Sequence, residues 1–112
     1  MQELMIKIPV WPITQMTGYK PQTTFWGDFS IAEKFGEKEV EDTYNRAFKH
    51  WKHDKVYLTE LVMVLNWKIH WHYDDGNHKL ANLYNKLWST ADAYAMDNLK
   101  GDDLRYFLNT TD

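Results

Sequence analysis

The stretch Lys55–Tyr73, KVYLTELVMVLNWKIHWHY, constrains this chain more than any other. Twelve of its nineteen residues are apolar or aromatic, and none is Gly or Pro. On a helical wheel of about 100° per residue, Tyr57, Leu58, Leu61, Val62, Leu65 and Ile69 form one broad face. Met63, Val64, Trp67 and Trp71 form the other side. A narrow polar strip of Thr59, Asn66 and His70 runs between them, and Glu60, Lys68 and His72 interrupt the apolar surface singly. A helix that is apolar nearly all round is a buried central helix, covered on at least two sides. Its polar and charged residues exclude an ordinary membrane span.

The flanking segments supply the cover. Glu37–His53 is amphipathic, with Val40, Tyr44, Ala47, Phe48 and Trp51 on one stripe and Glu41, Asn45, Lys49 and Lys52 opposite. Acids open it and bases close it, which suits the helix dipole, and Asp42 with Arg46 is spaced as an i,i+4 ion pair. Asp54 is placed to cap the central helix. The turn Asp74-Asp75-Gly76-Asn77 leads into His78–Leu99, whose buried stripe is Leu80, Leu83, Tyr84, Leu87, Trp88, Ala91, Tyr94 and Ala95. So short a turn makes that helix the antiparallel neighbour of the central one. Thr24–Phe35 is a short helix with Phe25, Phe29 and Ala32 on one face; Ser30 and Glu33 fit a capping box, and Gly36 is a natural stop. Lys100-Gly101 precedes a last short helix carrying Leu104 and Leu108, beyond which Asn109–Asp112 is expected to fray.

Residues 1–22 differ. Leu4, Ile6, Ile8 and Val10 alternate with Met5, Lys7 and Pro9, and Pro9, Pro12, Gly18 and Pro21 forbid a long helix. The reading is an extended arm that closes the core or crosses to a second subunit. The expected fold is therefore all-α, a small helical bundle in a single domain over 1–112. It has two long antiparallel helices (about 55–73 and 78–99), a third amphipathic helix (about 37–53), two short helices and an extended N-terminal arm.

Composition excludes several functions. The chain has no cysteine, so disulfides, thiolate metal sites and Cys catalysis are absent. This fits a reducing, cytoplasmic setting. The first residues, with Glu3, Lys7, Pro9 and Pro12, do not form a signal peptide. A net charge of −3 with interspersed signs is not that of a polybasic nucleic-acid binder. Six Trp, seven Tyr and five Phe in 112 residues are hard to bury completely.

Three phrases carry a resemblance: TELVMVLNWK at Thr59–Lys68, the Leu-Tyr-x-x-Leu-Trp run at Leu83–Trp88, and NLKGDDLRYF at Asn98–Phe107. Over roughly residues 24–112 the chain resembles a group of short helical proteins encoded by phages and integrated elements of gut bacteria. The resemblance implies a genomic setting and supplies no active residues.

Candidate chemistry centres on few groups. Thr59, Asn66 and His70 interrupt the central helix and imply a polar pocket, a satisfied core network or simple contact with solvent. Trp67 and Trp71, with His72 and Tyr73, make an aromatic end suited to a binding surface or to ordinary core. Arg46 and Lys49, with Lys52 and Lys55, form a basic edge that suits a phosphate backbone or a solvated helix face. His50, His53 and Asp54 have the spacing of a partial metal site, or of a basic helix end. None of these completes a catalytic constellation, and no cofactor or metal is implied. The expectation is a non-catalytic module binding a protein partner, such as a mobile-element accessory protein acting on a host protein, an anti-CRISPR or other anti-defence inhibitor among them. The alternatives are a small metal-dependent or acid–base enzyme using His70 with Asn66, or His50 with His53, and a self-associating structural protein.

Overall fold

A computed structural model describes residues 25–111. The expected arm over residues 1–22 lies outside the described residues. The described chain is all-α, with α1 at Phe25–Glu33, α2 at Glu37–Trp51, α3 at Lys55–Asp74, α4 at His78–Asn98 and α5 at Gly101–Thr111. The central stretch is α3, and it packs most extensively against α4; α5, α2 and α1 cover the rest of it.

Local chemistry sets the boundaries. Gly36 takes a φ of +124°, a conformation that side chains rarely adopt, and so lets the chain turn sharply from α1 into α2. Asp54 caps α3 as its sequence position suggests: its Oδ1 accepts from the backbone N–H groups of Val56 (3.0 Å) and Tyr57 (3.1 Å). Gly76, with φ +84°, closes the turn between α3 and α4, and the Asn77 side chain accepts from the Leu80 N–H to begin α4.

Several expectations are corrected. Ser30 and Glu33 do not form a capping box: Ser30 lies inside α1, where its hydroxyl donates to the Trp26 carbonyl at 2.9 Å. Glu33 ends α1 and faces the bundle instead. Asp42 and Arg46 do not pair; Lys38 takes Asp42 at 3.1 Å, and Arg46 turns to Glu39 at 3.6 Å. Asn109–Thr111 does not fray but completes α5, where the Thr111 hydroxyl donates to the Phe107 carbonyl. α5 is held by Phe107, which is fully buried and contributes roughly 1.5–3 kcal/mol of apolar burial.

The core is one cluster. It joins Phe25, Phe29 and Ala32 of α1, Val40 and Tyr44 of α2, Leu58, Leu61, Val62, Val64 and Leu65 of α3, the α4 stripe and Phe107. The predicted stripes of α1, α2 and α4 are thus its lining. Among the described residues, no helix is long and apolar enough to cross a membrane.

Candidate functional site

The polar strip is not where the buried polarity lies. Thr59 is buried, but its hydroxyl donates to the Lys55 carbonyl of its own helix at 2.6 Å. Asn66 is half-buried and His70 is exposed, so the strip runs from the core out to solvent. The other buried polar side chains of α3 are Glu60, Lys68 and His72. Lys68 and His72 sit roughly 20° and 60° round from Tyr57 on the wheel, in the middle of the apolar arc and one turn apart.

Both reach the same carboxylate. Glu33 Oε2 accepts from Lys68 Nζ at 3.0 Å, from His72 Nε2 at 3.0 Å and from the Tyr84 hydroxyl at 2.5 Å. A carboxylate oxygen only accepts, so His72 carries its hydrogen on Nε2. Lys68 is 1% exposed, yet its ammonium is fully engaged. One hydrogen goes to Glu33 and one to Ser30 Oγ at 2.8 Å, and the charge lies 4.1 Å from the centre of the Trp26 ring. Tyr84 stands between two rings, stacked parallel to His72 at 5.6 Å and edge-on to Phe29 at 5.6 Å.

The electrostatics follow from this closure. Burial pushes the Glu33 carboxyl up, but the hydrogen bonds from Tyr84 and His72 and the charge and hydrogen bond of Lys68 outweigh it and hold it below its ordinary value. Burial pulls the Lys68 ammonium down, and Glu33 opposes that pull. Tyr84 is driven up by burial and by its bond to Glu33. The pairing of Ser30 with Lys68 has the look of a nucleophile beside a base. Here the lysine is an ion-pair cation with no lone pair to offer, and the serine hydrogen is committed to Trp26. The network is a clasp joining α1 to α3 and α4.

Above the clasp lies an aromatic end. Trp71 packs edge-on against Trp26 at 5.7 Å, and Tyr73 stacks on His78 at 5.0 Å. The large apolar residues left most exposed lie late in two helices: Ile31 (58%) near the end of α1 and Phe35 (77%) just after it, and Trp71 (60%) and Tyr73 (61%) near the end of α3. The 3.0 Å contact of His72 with Glu33 ties those two helix ends together. Trp67, from the same predicted aromatic end, is half-buried.

The other candidates stay apart from this end. Arg46 and Lys49 are exposed on α2, Arg46 bonding Thr43 at 3.3 Å and facing Glu39. Lys52 lies 5.8 Å from the rings of both Phe48 and Tyr94, and Lys55 pairs with Asp103 at 2.9 Å. His50 and His53 are exposed at the end of α2, and the Asp54 carboxylate is occupied by its cap. Among the described residues, no three His, Asp or Glu side chains converge as a metal site would require.

Sequence reasoning missed Glu33, by taking it for a cap, and missed Lys68 and His72, by treating them as isolated interruptions. A usable signal was present: two polar residues four apart inside an apolar arc demand partners on another element. No protein-family model, no curated protein and no solved structure matches the chain.

Proposed function

We propose that this protein works by binding another polypeptide through the aromatic end, and that it performs no chemistry of its own. The observation that carries the reading is the exposure of Trp71 and Tyr73, both more than half open to solvent, near the end of α3. Aromatic side chains held rigidly at a surface are the usual anchors of protein interfaces. The buried polar groups beneath it bond one another, which supports a supporting role for them and not a reactive one. The resemblance to short helical proteins of phages and integrated elements supports an accessory protein that acts on a host protein, with a defence system such as CRISPR as the natural target.

Site-directed photocrosslinking tests the reading. The variant Tyr73→p-benzoylphenylalanine, expressed in bacteria and irradiated, is expected to give a discrete adduct with one polypeptide. The same group at exposed Asn45 of α2 is the control and should give none. Absence of any adduct from position 73 would overturn the proposal.

A further inference from the structure

The shortest described helix, α1, spans nine residues and closes over a buried cation. Trp26, Ser30 and Glu33, three α1 side chains about one turn apart, all meet the Lys68 ammonium. Glu33 Oε2 also takes His72 and Tyr84, so three donors share one acceptor atom. Moving Glu33 away breaks all three bonds together, and the partners of Lys68 on α1 leave as a set. The apolar hold of α1 is Phe25, Phe29 and Ala32.

The surroundings allow such a movement. Residues 34–36 join α1 to α2, and Lys34 and Phe35 are exposed. At Gly36 the backbone has a φ of +124°, and a Cβ built there would stand in open space, so this position can turn without displacing a neighbour. Below, α3 and α4 keep their own ends. The caps at Asp54 and Asn77 and the turn at Gly76 involve no α1 residue.

We propose that α1 is a lid: it comes off the bundle as one unit, hinged at Gly36, while α3 and α4 stay folded. Opening hands the Lys68 ammonium to water, and that hydration offsets part of the lost ion pair. It also uncovers the His72 imidazole and the Tyr84 hydroxyl, which the closed form keeps on Glu33. A nine-residue helix released from its support melts, so the backbone N–H groups of α1 exchange with solvent whenever the lid opens. Opening of this kind is a sub-global event, separate from unfolding of the whole chain.

Amide hydrogen exchange of the full chain, read by NMR, tests the proposal. The N–H groups from Phe29 to Gly36 are expected to share one exchange rate after correction for sequence, faster than those of buried Leu65 and Leu87. Glu33→Gln strands the lysine charge in the closed form only, and should speed exchange in α1 about a hundredfold. Asp54→Ala removes a cap that persists when the lid is open. It should speed Leu65 and Leu87 about fivefold and leave α1 unchanged. If α1 exchanges as slowly as Leu65 and Leu87 and responds equally to Asp54→Ala, it leaves only when the whole chain unfolds, and there is no lid. If α1 exchanges fast but ignores Glu33→Gln, its ends fray without breaking the clasp, and the proposal is again overturned.

Discussion

Replacing Glu33 by Gln isolates the energetic role of the clasp. The amide keeps the shape of the side chain and can still accept from Tyr84, but it removes the negative charge beside Lys68. That ammonium is almost wholly buried, with Ser30 and the Trp26 ring as its remaining partners. Breaking a buried ion pair from one side costs about 3–5 kcal/mol. Glu33 itself retains some solvent contact, so the lower end, about 3 kcal/mol, is the expected loss at neutral pH. For a chain of this size that lowers the thermal midpoint by roughly 10 °C. Urea denaturation followed by circular dichroism measures it, with an unchanged m-value as the check that both states are the same. Adding Lys68→Met removes the orphaned charge and should return most of the loss, because an apolar replacement of a whole buried pair is near neutral. The pH dependence has a definite sign. The folded-state carboxyl of Glu33 lies below its unfolded value of about 4.3. Its contribution is therefore complete above that unfolded value and disappears as pH falls through the folded one. The gap between the parent and the Gln variant should be full at pH 7 and should narrow below about pH 4. A loss under about 1 kcal/mol, or additive effects of Glu33→Gln and Lys68→Met, would refute the account.

Two further substitutions test other features. Among the described residues the buried Tyr44 hydroxyl has no hydrogen-bond partner, and burial pushes its ionisation up to about 12. Tyr44→Phe should therefore leave stability unchanged or raise it by about 1 kcal/mol, since an unsatisfied buried hydroxyl is a net cost; a clear loss in urea denaturation would mean that this hydroxyl has a partner. Asp54→Ala removes both bonds to the first turn of α3 and should cost about 1 kcal/mol, with Asp54→Asn recovering most of it in the same assay.

Periodicity located the helices because each buries a stripe, and a stripe is a local property of the sequence. The sides of α2 and α4 that line the core were legible for that reason, as were the Asp54 cap and the turn at Gly76. Polar partners were not. Asp42 had two bases in reach at i,i+4, and a wheel cannot say that Lys38 would win over Arg46. The clasp lay further out of view. Lys68 meets Ser30 across 38 positions, His72 meets Glu33 across 39, and Tyr84 meets Glu33 across 51. A wheel gives the angle of each residue, not the element that will lie against it. Asn66 and His70 drew attention because they broke the pattern between two apolar arcs, yet a polar residue there reaches water with little cost. Lys68 and His72 broke it from within an arc, where the cost of burial forces a partner to exist.

The clasp also bears on the order in which the molecule assembles. A nine-residue helix such as α1 is unstable alone in water, and α1 contributes one carboxylate whose partners come from two other helices. Those partners stand together only after α3 and α4 have closed across the short turn at Gly76, a local and therefore rapid pairing. Docking of α1 is thus a late step, and Trp26 comes against Trp71 only when it is complete. A newly made chain would lack the assembled aromatic surface until the hairpin beneath it had formed.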